Sequence, residues 1–111
     1  MRLCKLNEVP INGARGFDPF NEGHDSIFVI NTKKGLFAYR DICPHYGSTT
    51  LPWRKNKYLD STATNIVCAA HGAEFEINTG LCVSGPCLGQ SLTPVPLIVA
   101  EDGYLLATIH Q

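Results

Sequence analysis

The 111-residue chain has no run approaching the roughly 18 consecutive apolar residues that mark a membrane-spanning helix, and its first residues, Met1-Arg2-Leu3-Cys4-Lys5, lack the apolar core of an export signal. The expectation is a cytoplasmic protein without membrane insertion. An excess of charge is missing too: 9 Lys and Arg stand against 10 Asp and Glu, for a net charge of −1, which argues against nucleic acid or an anionic membrane as the main partner. There is no catalytic triad, phosphate loop or nicotinamide fingerprint. The five cysteines are an odd number, so a complete disulfide framework is impossible. With no export signal, reduced thiols are expected, and metal ligation becomes the first reading for some of them.

What is present suits one small domain over residues 1–111. Seven Pro and ten Gly break the chain into short apolar runs, the pattern of strands and turns rather than long helices. Residues 3–7 and 14–17 are weak strand candidates, and 26–31 is a strong one, with Ile27, Phe28, Val29 and Ile30 in an unbroken apolar run. Thr32-Lys33-Lys34-Gly35 turns that run into a partner at 36–39, with Gly35 supplying the unusual backbone angle. Residues 53–64 read as a polar loop. A strand resumes at 65–68, and 74–77 alternates polar and apolar before Asn78-Thr79-Gly80 turns it into 81–83. Near the end, Val95, Leu97 and Val99 share one face of a strand whose Pro94 and Pro96 place its start at a sheet edge. Asp102-Gly103 then signals a hairpin into 104–109. About eight to ten strands and no convincing helix predict an all-β antiparallel sandwich or barrel.

The chemistry is concentrated in Cys43-Pro44-His45 and Cys68-Ala69-Ala70-His71-Gly72, each just after a predicted strand. Two loops of this kind supply two thiolates and two imidazoles. Such a set suits tetrahedral zinc, but zinc sites usually group their cysteines and then their histidines, whereas here the order alternates. The alternation suits a 2Fe-2S cluster with Cys43 and Cys68 on an inner iron and His45 and His71 on an outer one near solvent. A ferric-ferric core of charge +2 is neutralised by two thiolates, whereas four would leave it at −2, so the mixed set accepts an electron more easily.

These two motifs, followed by Phe75, Thr79-Gly80 and Ser84-Gly85-Pro86, resemble the Rieske family, and within it the small stand-alone bacterial ferredoxins. The resemblance covers the chain from about Tyr39 onward. It implies three stacked antiparallel sheets, a 2Fe-2S cluster at one tip on Cys43, His45, Cys68 and His71, and Ser84-Gly85-Pro86 as a third loop over the cluster. It also implies an electron carrier without its own substrate site, passing single electrons between a reductase and a terminal oxidoreductase or oxygenase. Two further readings within that resemblance are a small subunit of a larger enzyme such as nitrite reductase, and a redox sensor.

Two departures from the family matter. The interval between His45 and Cys68, residues 46–67, is longer than usual and implies an insertion beside the cluster. Respiratory relatives carry a loop disulfide, and hydroxyls two and four residues after the last His. Here Pro44, Tyr46, Gly47, Ala69, Ala70 and Ala73 surround the ligands, and Ala73 and Phe75 occupy the hydroxyl positions. The disulfide is excluded, and the potential is expected in the lower part of the family range of about −150 to +300 mV.

Among the remaining residues, Cys82 and Cys87 flank the covering loop and could pair or respond to oxidation, but read more simply as small buried hydrophobes, as does Cys4. His24 and His110 read as solvated. Trp53, Arg54, Lys55 and Lys57 form either a docking patch for an acidic redox partner or a solvated loop.

Overall fold

The computed structural model describes residues 1–44, 50–52 and 54–109. Among the described residues, nine short strands follow one another: β1 (Arg2–Lys5), β2 (Gly13–Phe17), β3 (Ile27–Thr32), β4 (Gly35–Arg40), β5 (Asn65–Cys68), β6 (Ala73–Glu76), β7 (Cys82–Ser84), β8 (Leu97–Val99) and β9 (Tyr104–Ala107). They form three antiparallel sheets of three strands, in the orders β1-β9-β8, β2-β3-β4 and β5-β6-β7.

The unbroken apolar run of β3 has a direct cause. As the centre of the middle sheet, β3 is covered on both faces, so both sets of its alternating side chains are buried. Ile27 and Val29 join Val9, Ala38, Val95, Leu105 and Ala107 in one core, toward the sheet of β1, β8 and β9. Phe28 and Ile30 point the other way, into a second core with Ile66, Cys68, Ala73, Phe75 and Cys82 from the sheet of β5, β6 and β7. The middle sheet thus lies between the other two, as the stacked arrangement requires.

The predicted hairpins form where expected. Thr32 pairs with Gly35 across Lys33 and Lys34, and Gly35 has φ +143°, a value that side-chain-bearing residues rarely adopt. Gly80 donates to Glu76 O at 2.8 Å and closes the turn after β6. At the final hairpin Gly103 donates to Ala100 O at 2.9 Å. One expectation needs correction. The first strand stops at Lys5 because Leu6–Glu8 winds into a 3-10 turn, fastened by Glu8 Oε1 accepting the Lys5 N–H at 2.9 Å and by Val9 N–H donating to Leu6 O. β8 is an edge strand, as Pro94 and Pro96 led one to expect, and exposure rises from 6% at Val95, just before it, to 47% at Val99. No helix among the described residues is long and apolar enough to cross a membrane.

Candidate metal centre

β5 and β6 form a hairpin in which Cys68, the last residue of β5, faces Ala73, the first of β6. Between them the chain makes one tight turn, with the His71 and Gly72 N–H groups both donating to Cys68 O, at 3.3 and 2.8 Å. The turn brings His71 Nδ1 to 3.4 Å from Cys68 Sγ. Cys43 arrives from the end of β4 in the adjoining sheet, and its Sγ also lies 3.4 Å from His71 Nδ1. The three donor atoms lie within 4.8 Å of one another. Both sulfurs belong to residues with no solvent exposure, while His71 is half-buried. His45, expected as the fourth ligand, lies outside the described residues, as do Trp53 and His110.

Residues that the sequence reading passed over hold this arrangement in place. Asp41, two positions before Cys43 and buried, accepts the Leu51 N–H at 2.7 Å and the Tyr58 hydroxyl at 2.7 Å. Leu51 in turn accepts the Ala69 N–H at 2.9 Å through its carbonyl, so one peptide segment ties the Cys43 loop to the Cys68 turn. Tyr58 is stacked on Phe28 of β3, with ring centroids 4.2 Å apart and planes 9° from parallel. The available signal was a carboxylate, beside Arg40, in the mostly apolar approach to Cys43, and a lone tyrosine in a polar segment. Burial raises the Asp41 carboxyl, a shift its two donors oppose, and burial also raises the Tyr58 hydroxyl.

The polar segment is more than a solvated loop. Lys55 Nζ donates to both carboxylate oxygens of Asp25, at 2.8 and 2.7 Å, and to Gly16 O at 3.1 Å, while Asn56 Oδ1 accepts the Gly16 N–H at 2.8 Å. Lys55 is thus committed to fastening the segment to β2, which weakens its claim to a docking role. His24 is exposed and Cys4 is buried, as expected.

Burial, reinforced by the nearby Cys43 thiol, pushes the Cys68 thiol up to about 11. A thiol of that kind is protonated at neutral pH and ionises when a cation displaces its proton. The Cys43 and Cys68 sulfurs converge with an imidazole nitrogen and are walled off from water, a donor set that suits a soft, thiolate-preferring metal. Fold and donors together therefore define an all-β protein with a candidate Cys/His metal site. The donor set suits zinc and iron-sulfur alike.

Comparison with known proteins decides between them. The model of the Rieske [2Fe-2S] domain matches residues 1–107, and the chain belongs to that family, whose cofactor is a 2Fe-2S cluster. It is 32% identical over 72 residues to the cytochrome bc1 complex Rieske iron-sulfur subunit of Corynebacterium glutamicum, a match covering 64% of this chain and 16% of that protein. The chain thus spans only about a sixth of that relative. Among solved structures, the ferredoxin of carbazole 1,9a-dioxygenase from Nocardioides aromaticivorans IC177 superposes with a TM-score of 0.71 at 19% identity, over 96% of this chain and 94% of that one. The Sphingomonas yanoikuyae B1 ferredoxin gives 0.70 at 23% identity, over 99% and 98%. These two likenesses concern the fold.

Proposed function

We propose that the chain is an electron carrier of one domain, residues 1–111, that holds a 2Fe-2S cluster through Cys43, His45, Cys68 and His71. The observation that supports it most is the convergence of the Cys43, Cys68 and His71 donor atoms within 4.8 Å on a Rieske fold. When bound, the cluster accepts and releases one electron. The protein's own residues do the rest. Cys43 and Cys68 bind on the buried side, and the apolar core around them excludes water. His71, only half-buried, offers the outward face from which a partner protein can exchange electrons. Ala73 and Phe75, both buried, bring no hydroxyl to the site, which supports a potential in the lower part of the family range of about −150 to +300 mV.

The partners we propose are a reductase on one side and a terminal oxidoreductase or oxygenase on the other, in the cytoplasm. Support comes from the ferredoxin folds, one of which was solved in a complex of reduced oxygenase and oxidised ferredoxin in carbazole 1,9a-dioxygenase. A second reading, the small subunit of a larger oxidoreductase, is favoured by the fold of a candidate NADH-dependent nitrite reductase small subunit from Mycobacterium tuberculosis, with a TM-score of 0.66 over the whole of this chain.

The deciding experiment is anaerobic purification followed by iron and sulfide analysis and EPR of the reduced protein. Two irons and two sulfides per chain are expected, with an average g value below that of an all-cysteine cluster. Colourless protein holding zinc or no metal would refute the proposal. Stable co-purification with a sirohaem enzyme would promote the second reading.

A further inference from the structure

Cys82 and Cys87 form a pair of their own beside the metal centre, with Cys87 also within reach of Cys43. Cys43 and Cys68 converge on His71, and Cys4 donates its S–H to the neighbouring Lys5 carbonyl. Cys82 and Cys87 instead meet each other: the Cys87 S–H donates to Cys82 Sγ at 3.2 Å, and the Cys82 S–H donates to Ser84 O at 3.3 Å. Both residues are 1% exposed, and both are free thiols.

The backbone holds the pair in this position. The Cys82 N–H donates to Gln90 O at 2.8 Å and the Gly89 N–H to Cys82 O at 3.3 Å, while the Gln90 N–H closes back on Cys87 O at 2.9 Å. Gly85, at the tip of the loop, has φ +102°, and a Cβ there would lie 2.7 Å from Ala73 Cα, so the loop is pressed onto the start of β6 opposite Cys68. Nothing about filling a core with small side chains requires two sulfurs to face each other across a tight, anchored loop.

We propose that Cys82 and Cys87 are a second redox site, a dithiol that closes to a disulfide beneath the loop over the metal centre when the protein meets a peroxide. Forming the bond, which is about 2.05 Å long, needs the sulfurs to approach by roughly 1 Å. One sulfur takes an oxygen from the peroxide O–O bond, becoming a sulfenic acid as the first water leaves. The other sulfur attacks it, the S–S bond forms, and the sulfenic oxygen departs with the remaining thiol proton as a second water. Two electrons pass from sulfur to hydrogen peroxide, and two waters result. Burial to 1% exposure bars bulky oxidants, so the oxidant in this proposal is hydrogen peroxide itself, and the neighbouring thiol resolves the sulfenic acid before further oxidation.

The test uses holoprotein purified without oxygen, treated with increasing hydrogen peroxide and then alkylated in denaturant. Cleavage after Glu76 and Glu101 releases the peptide 77–101, in which Cys82 and Cys87 are the only cysteines. The expected result is a peptide lighter by two hydrogens and closed to alkylation, formed before the visible spectrum bleaches and reversed by dithiothreitol. In Cys87→Ser the same dose should leave Cys82 as a sulfenic acid trapped by dimedone, an adduct absent from the wild type. Both thiols still alkylated after the cluster has bleached, or a dimedone adduct persisting in the wild type, would overturn the proposal. The readout is a peptide mass and is independent of which residues hold the metal, so protein lacking a cluster can be scored in the same way.

Discussion

The two apolar cores on either side of β3 are built from the same strand but on different plans. The core facing β1, β8 and β9 is mainly aliphatic, with Ile27, Val29, Val9, Val95 and Leu105, and Cys4 is its only cysteine. The core facing β5, β6 and β7 holds four of the five cysteines and the aromatic rings of Phe28, Tyr39, Tyr58 and Phe75. Directional bonds gather at its edge, including Asp41 with Leu51 and Tyr58, and the Tyr39 hydroxyl donating to Ile77 O at 2.6 Å. Burial of area suffices to hold two sheets together, because the hydrophobic effect has no direction. Placing three donor atoms within a few ångströms takes more: hydrogen bonds of fixed geometry must lock the loops that carry them.

The largest effect expected from breaking this contrast is on the metal itself. Cys68→Ala removes a buried donor at the meeting of the two loops and should abolish iron incorporation. Absorbance and iron analysis of anaerobically purified protein check this, and full iron content in the variant would contradict the assignment of Cys68. Next come the cores. Phe28→Ala should cost about 3–5 kcal/mol and Ile27→Ala about 2–5 kcal/mol, both as cavities in close-packed interiors. The two differ in what else they change. Phe28 supports Tyr58 and through it Asp41, so its loss should lower iron content in the folded fraction, whereas Ile27→Ala should leave iron content per folded molecule near the wild-type value. Denaturant unfolding combined with iron analysis tests both.

Much of the fold and of the site was legible in the sequence, for identifiable reasons, although the division into two cores was not. The strands follow local alternation and turn residues, and a run such as Ile27 to Ile30 can only be a strand covered on both faces if it is a strand at all. Cys43, Cys68 and His71 were visible because two matched Cys/His motifs are a local pattern. Asp41 and Tyr58 were not, and Lys55 was read only as a docking or solvated residue, because their meaning lies in contacts across the fold: Lys55 meets Asp25 and Gly16, some 30 and 39 positions away. The meeting of Cys82 and Cys87 was open for a related reason, since the path of the loop between them decides whether they touch. Leu6 and Asn7 were misread as strand because nothing in their composition reveals the side-chain bond from Glu8 back to Lys5.

A smaller effect probes the bonds at the edge of the cysteine-rich core. Tyr58→Phe leaves a buried carboxylate oxygen without its donor and should cost about 1–3 kcal/mol. Asp41→Asn keeps both contacts, with the amide donating to a Tyr58 hydroxyl turned round to accept, and it removes the charge. Burial raises the folded-state value of Asp41 above its unfolded one, so the folded protein binds the extra proton more readily. Its contribution to stability is therefore fully present below the unfolded value and is lost as pH rises through the folded one. Relative to Asp41→Asn, the wild type should gain stability as pH falls from neutrality through that raised value. Urea midpoints measured across the carboxylate range that run in parallel for the two proteins would rule out this titration.

The smallest effect belongs to the aliphatic side of the molecule. Arg2 pairs with Asp102 at 3.3 Å, but the two side chains are 60% and 59% exposed, so water and salt screen the attraction. Arg2 also lies over the Tyr104 ring, 3.7 Å from its centroid, and keeps that contact when the carboxylate is gone. Asp102→Asn should therefore cost about 0.2–1 kcal/mol, less at high salt, with iron content and potential unchanged. A shift in potential from this variant would mean that charge on the outer sheet reaches the metal centre through β3, and the two sides of that strand could no longer be treated as separate.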